Sequence, residues 1–148
     1  MDGVLRQATR ADIAAMHRVR LAVHENKLLS NIVEDDYVAE IEVTGRGWVI
    51  TEAQYVVAFS VGNRETRNVW ALFVHPEHER KGYGRRLHAT MVDWLFGQGV
   101  QSIWLSTEPA SRARQFYEAA GWSFCRIRPN GEHHYELQRP NTTGHVSG

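Results

Sequence analysis

The sequence predicts an α/β domain in which one mixed, mostly antiparallel sheet is flanked by about four helices. Three observations carry this expectation. Short apolar runs with strand character alternate with segments whose apolar residues recur at helical spacing. One run, "VWALFV" at 69–74, has no alternation and reads as a central strand covered on both faces. A chain of 148 residues is long enough for one such core but not for two.

In chain order, "VLRQAT" at 4–9 is a short strand. Thr9 with Asp12 three residues on then makes a capping-box-like helix start. Ile13, Met16, Val19 and Val23 form an apolar stripe, which predicts a helix over 11–25. Tyr37, Val38 and Ile41 mark a second helix over about 33–43, ended by "TGRG". "WVITE" and "YVVAFSVG" lie so close together that they read as an antiparallel hairpin. After "VWALFV" comes a loop with two glycines, then a helix marked by Leu87, Met91, Trp94 and Leu95 that stops at the "GQG" of 97–99. "SIWLST" is another buried strand. Ala113, Phe116, Tyr117 and Ala120 share one face of a short helix ended by Gly121. "WSFCRI" and "HHYELQ" are the last strands, turned by "RPNG" at 128–131. The order is roughly βααβββαβαββ, with one domain over 1–139 and a flexible tail over 140–148.

Composition narrows the function classes. Seventeen basic residues balance seventeen acidic ones, so attraction for an anion has to be local, and a general nucleic-acid binder is disfavoured. The single cysteine, Cys125, has no partner for a disulfide and makes no zinc site of the usual spacing. The eight histidines show no ligand spacing beyond the adjacent His133 and His134, which would face opposite sides of a strand, so no metal is implied. Polar residues near the start and the lack of a long apolar window lead us to expect a cytoplasmic protein with no membrane partner.

The loop "HPEHERKGYGRRLH" surrounds Gly82 and Gly84 with Arg80, Lys81, Arg85 and Arg86. A loop entering a helix presents amide N–H groups that lack partners, and the helix dipole adds positive potential there. Phosphate is a suitable ligand; a tight turn with solvated basic residues is the plain alternative. A dinucleotide fingerprint fails because Leu87 stands where a third small residue is needed. A nucleoside triphosphate loop fails for want of Gly-Lys-Ser/Thr.

The element order together with "LFVHP", "RKGYGRRL" and "RARQFYEAAGW" resembles the GNAT family of acetyl-CoA-dependent N-acetyltransferases over nearly the whole chain. The resemblance implies a single GNAT-like domain with acetyl-CoA as co-substrate. It implies that Arg80, Lys81, Gly82, Tyr83, Gly84 and Arg85 line the coenzyme A pyrophosphate, and that the backbone of Leu72, Phe73 and Val74 pairs with the pantetheine arm. Two departures stand out. Glu79 occupies a position where relatives commonly carry Gln or Arg, and it is expected to point outward. Ala110 replaces a frequent asparagine, with Ser111 as a weak substitute.

The implied chemistry has two tasks. An alkyl amine of pKa about 10.4 is neutral in only roughly one molecule in 2,500 at pH 7, so a proton must leave before attack. The departing thiolate must also be stabilised or protonated. By resemblance Tyr117 is the general acid, although its apolar neighbours equally suit a core residue. Glu108, just past "SIWLST", is the candidate base; His75, His24, Glu25 and an ordered water chain are alternatives. Cys125 has no paired histidine, which favours direct attack in a ternary complex over an acyl-enzyme.

Acceptor choice is expected from "HENKLLSNIVEDDY" and from the last hairpin around His133 and His134. The "EDD" run is read first as a helix start, and Trp48, Trp70 and Trp104 as core residues and not an aromatic cage. A small-molecule amine is the expected acceptor. A homodimer through the exposed edge near "HHYELQ" is open. The alternative function is a non-catalytic acyl-CoA-binding sensor or regulatory module.

Overall fold

Four antiparallel strands and three helices form the first part of the chain in a computed structural model that describes residues 3–23, 32–109 and 111–140. The chain divides into two compact units, Met1–Leu95 and Phe96–Gly148. In the first, β1 (Val4–Gln7), β2 (Gly45–Glu52), β3 (Tyr55–Asn63) and β4 (Asn68–Val74) pair in sequence order, each antiparallel to the next. The helices are α1 (Ile13–Val23), α2 (Glu34–Glu42) and α3 (Tyr83–Gly97).

Alternation along β3 assigns the faces. Phe59 and Val61 join Met16 and Val19 of α1 and Tyr37 and Ile41 of α2 in one buried cluster. On the other face, Met91 and Leu95 of α3 lie over Gly62, and Trp48 meets Trp94 edge to face at 5.7 Å. Leu87, Met91 and Leu95 have no exposed surface, each stabilising the fold by roughly 1.5–3 kcal/mol.

The helix starts follow their local chemistry. The Thr9 N–H donates to Asp12 Oδ2 at 2.8 Å, and Arg6 reaches both Asp12 oxygens at 2.9 and 2.8 Å, joining β1 to the turn that opens α1. The acidic run is the expected helix start: Asp36 accepts the Val33 N–H at 2.7 Å.

Two boundaries differ from expectation. Residues 10–12 are a 3-10 turn before α1, and positions 24 and 25 lie outside the described residues. "TGRG" is not only a helix end, because β2 already begins at Gly45. A Cβ there would stand 2.1 Å from the Gly62 carbonyl oxygen, so this glycine serves close strand approach where it reads as a breaker in sequence.

Val61 pairs with Ala71 but Gly62 with Val69, so Trp70 is the extra residue of a β-bulge on β4.

The second unit holds β5 (Ser102–Thr107), α4 (Arg112–Ala119), β6 (Ser123–Ile127) and β7 (His133–Gln138), with antiparallel strands in the order β5-β7-β6. The free edge beside "HHYELQ" is therefore β6, all of whose residues are exposed. The expected turn is present, with Gly131 N–H donating to Arg128 O and Arg128 N–H to Glu132 O. On α4 only Tyr117 of the expected apolar face is buried; Phe116 is half-buried, and Ala113 and Ala120 are exposed. The tail positions 141–148 lie outside the described residues.

Candidate active site

The loop after β4 is built by its backbone. Pro76–His78 form a 3-10 turn capped by His75, whose Nδ1 accepts the Glu77 N–H at 3.1 Å. Arg80 and Gly82 then take positive φ of 68° and 81°, and α3 starts at Tyr83. Left-handed residues at alternate positions can turn successive N–H groups toward one side, and the first N–H groups of α3 have no partner within the helix. A Cβ on Gly82 would meet nothing within 4 Å, so this glycine is required by its backbone conformation and leaves open space beside the loop. The loop therefore fits an anionic ligand: Arg80, Lys81, Gly82 and Arg85 are exposed, and Gly84 is half-buried.

Glu52, at the end of β2, organises this loop. Its carboxylate accepts from Lys81 Nζ at 2.9 Å and from the Tyr83 hydroxyl, and lies 3.3 Å from His78 Nδ1. These bonds, Tyr83's first and then Lys81's, pull the Glu52 pKa down to about 2. The Lys81 ammonium thus already faces a carboxylate, and the buried Tyr83 ring is turned toward Glu52. Tyr83 offers a ligand its amide and not its side chain. Arg86 donates to Gly3 O at 3.1 Å. Glu79, expected to point outward, is half-buried. Sequence reasoning missed Glu52 because no local pattern ties it to a loop some thirty residues later.

Leu72, Phe73 and Val74 are half-buried at the end of β4, in register with Ser60, Phe59 and Ala58. A cavity of about 690 Å³ opens between α1 and the β2–β3 turn, lined among others by Asp12, Val19, Tyr55, Val56 and His75. His75 lies on this cavity, with its Nδ1 engaged by the Glu77 N–H.

A second feature absent from the sequence reading is Arg20. It falls four residues after Met16 on the inward stripe of α1 and is buried at 8% exposure. Its Cζ lies 4.8 Å from the ring centroid of Trp70, 4.9 Å from that of Phe73 and 5.7 Å from that of Tyr37. Trp70, expected as plain core, packs against this cation, and Tyr37 meets Trp70 edge to face at 5.1 Å. The stripe spacing, continued through an arginine, was the available signal.

In the second unit, Tyr117 is buried, with its ring edge to face against Trp122 at 5.6 Å. Burial raises its pKa above the ordinary tyrosine value, so the hydroxyl holds its proton through neutral pH. Tyr135 donates to Glu118 Oε2 at 2.6 Å and fastens α4 to β7; burial and then that carboxylate push its pKa up to about 12. Glu108 is half-buried, and its carbonyl accepts Ser111 N–H and Oγ at 3.3 and 3.0 Å. Ser111 is thereby committed locally. The neighbouring Thr107 Oγ1 is buried without a hydrogen-bond partner among the described residues. His134 stacks on Trp104 at 5.2 Å, between Arg128 and Glu136, whereas His133 packs on Phe124 at 4.9 Å. Ala110, His24 and Glu25 lie outside the described residues. Among the described residues no group of three or more His, Cys, Asp or Glu is arranged to hold a metal ion, and no helix is long and apolar enough to cross a membrane.

Comparison with known proteins gives a consistent match. The Acetyltransferase (GNAT) family model matches residues 12–122. The [ribosomal protein bS18]-alanine N-acetyltransferase of Escherichia coli K12 is 27% identical over 84 residues, covering 55% of this chain and 57% of that protein. Its match thus spans little more than half of that relative's length. Among solved structures, the ribosomal-protein-S18-alanine N-acetyltransferase from Escherichia coli has TM-score 0.74 at 17% identity, covering 95% of this chain and 97% of its own. Ard1 from Thermoplasma volcanium has TM-score 0.79 at 20% identity, covering 95% and 100%. PaiA N-acetyltransferase from Thermoplasma acidophilum, in complex with coenzyme A, has TM-score 0.76 at 12% identity, covering 94% and 100%.

Proposed function

The chain belongs to the acetyltransferase (GNAT) family, and from that premise we propose that it transfers the acetyl group of acetyl-CoA to a primary amine by direct attack. The observation that carries this reading is the loop at Arg80–Arg85, with left-handed backbone at 80 and 82 running into the start of α3. Arg80 and Arg85, with the amides of Lys81, Gly82, Tyr83 and Gly84, hold the pyrophosphate; Lys81 acts chiefly by fixing the loop through Glu52. The backbone of Leu72, Phe73 and Val74 receives the pantetheine arm. The co-substrate supplies an acetyl group activated as a thioester.

Proton handling is assigned to Glu108 and Tyr117. The amine loses a proton to Glu108 or to water beside it. The neutral amine nitrogen then bonds to the acetyl carbon, the carbon–sulfur bond breaks, the Tyr117 hydroxyl gives its proton to the sulfur, and the proton released from the nitrogen passes through water to restore the tyrosine. Burial keeps its hydroxyl protonated at neutral pH, so the proton is in place when the thiolate forms. Burial and then Glu136 push the Cys125 thiol pKa up, which favours direct attack over a thiolate nucleophile, and a single cysteine suits a reducing compartment such as the cytoplasm.

The acceptor we propose first is a small-molecule amine. The relatives named for alanine acetylation of a ribosomal protein favour a second reading, a peptide amino terminus. The exposed β6 edge, with Phe124 and Ile127, supports a homodimer.

Calorimetric titration with acetyl-CoA, followed by thiol-release assays on small amines and on peptides with amino-terminal alanine, tests this reading. Native protein is expected to bind acetyl-CoA and turn over one class, while Gly82→Trp loses binding at least about 10-fold by forcing a left-handed position and filling the open space. Tight binding with no amine-dependent thiol release from either class would favour the cofactor-binding sensor.

A further inference from the structure

We infer that Arg20 is the receptor for a carboxylate carried on the amine acceptor. The starting point is a hydrogen-bond deficit. Arg20 Nε and Nη2 are shut off from solvent and have no hydrogen-bond partner among the described residues. The rings of Trp70, Phe73 and Tyr37 stabilise the cation through their faces, but a ring face accepts no in-plane N–H bond of the kind a guanidinium offers. Burial depresses the Arg20 pKa; the Tyr37 hydroxyl, within hydrogen-bond reach of the guanidinium, and then Asp36 through its field oppose that shift but leave Nε and Nη2 unfilled. An unfilled planar pair of donors matches the two oxygens of one carboxylate.

The surroundings are built for the position. In a regular strand, residues 70 and 73 would face opposite sides. The extra residue at the Val61–Gly62 register shift turns Trp70 to the side of Phe73, so that both rings flank the guanidinium. A strand irregularity that re-aims a tryptophan onto an unfilled arginine is more than packing requires, because an aliphatic residue at position 20 would continue the Ile13–Met16 stripe with no deficit.

The connection to acetyl transfer rests on the proposed function: Phe73 lies within the Leu72–Val74 stretch assigned to the pantetheine arm. A carboxylate held by Arg20 would therefore be beside the strand that carries the acetyl group. The ligand class is an amine bearing a carboxylate on the same skeleton. Two sources share that chemistry, a free amino acid and a peptide with an acidic side chain near its amino terminus.

The test uses the full chain. In a ¹⁵N spectrum of arginine side chains, the Arg20 Nε–H signal is assigned by its loss in Arg20→Lys, and native protein is titrated with sodium acetate. Acetamide serves as the neutral isostere and sodium chloride as the ionic control. Acetate is expected to move the Arg20 signal saturably while the controls leave it in place. In parallel, thiol release is compared for glycine against glycinamide, and for alanyl-glutamate against alanyl-glutamine peptides. Native protein is expected to prefer the carboxylate member of one pair. Arg20→Met lowers kcat/KM for that member by about 10- to 100-fold and abolishes the preference between the two members of the pair; which pair responds identifies the source.

An Arg20 signal indifferent to acetate, with no carboxylate preference in native protein, would overturn the inference and leave Arg20 a packing residue. Failure of every acceptor to be acetylated would instead count against the acetyltransferase reading, while the acetate titration still decides the anion site. Should Arg20→Met not fold, the native preferences and the titration decide without it.

Discussion

Tyr117 is buried and Glu52 is bonded to Tyr83 and Lys81, and each environment yields a distinct expectation. Removing the Tyr117 hydroxyl in Tyr117→Phe keeps the ring against Trp122, so the fold should persist while kcat falls by about 100-fold or more with the KM for acetyl-CoA nearly unchanged. Steady-state kinetics at saturating amine separate the two parameters. Because burial raises the Tyr117 pKa above its ordinary value near 10, the proposed acid stays protonated as pH climbs. The rate should therefore rise with pH as the amine deprotonates, with no falling limb below about pH 10 from this group. Glu52 works in the opposite sense. Its folded pKa of about 2 lies below the ordinary 4.5, so its stabilising contribution is full above about pH 4.5 and disappears as pH falls toward 2. Urea unfolding of native protein and Glu52→Gln should differ at pH 7 and converge near pH 2. A constant difference across that range would mean that the carboxylate's bonds to Tyr83 and Lys81 do not couple to folding.

At the scale of elements, β2 and β3 approach closely at Gly45, where any side chain would enter the space of the Gly62 and Glu40 carbonyl oxygens. Gly45→Ala should cost at least about 2 kcal/mol, read as a lowered midpoint in thermal or urea unfolding. This glycine also explains why the start of β2 was hard to read: in sequence it resembles a helix stop, and only the partner strand reveals that the missing side chain is a packing requirement. Elements with a strong period were legible. Ile13, Met16 and Val19 announced α1, and "VWALFV" announced a strand, although only its Val69 and Ala71 are buried and the other four residues are half-buried. The glycine loop was legible too, since Gly82 is required by a positive φ that sequence rules anticipate. Features that depend on distant pairing were not: the bulge at Trp70 arises from its register with β3, and the anchoring of Lys81 by Glu52 crosses from the end of β2 to the start of α3. The apolar face read onto α4 was broader than the one buried, because its alanines are exposed and Tyr117 carries the packing.

For the whole molecule, balanced charge directs the functional argument to local sites. Basic residues at the loop before α3 are partly neutralised by Glu52, and the buried cation at Arg20 is surrounded by aromatic rings. Electrophoretic shift assays with DNA or RNA are accordingly expected to show no binding at physiological salt. Family membership was legible because its motifs cluster in short stretches, "RKGYGRRL" and "RARQFYEAAGW", each within one loop or helix. The acceptor site proposed at Arg20 was not, because it combines residues from α1, α2 and a bulged strand, Arg20, Tyr37 and Trp70. The central claim is transfer of acetyl from acetyl-CoA to an amine. Its most direct measurement is the simultaneous release of coenzyme A thiol and formation of acetylated amine from acetyl-labelled acetyl-CoA, in native protein and in Tyr117→Phe. The account predicts one labelled product per thiol released, strict dependence on the amine, and a rate about 100-fold or more lower in the variant. Thiol release that ignores the amine, or acetyl-CoA binding with no labelled product from any amine, would contradict it.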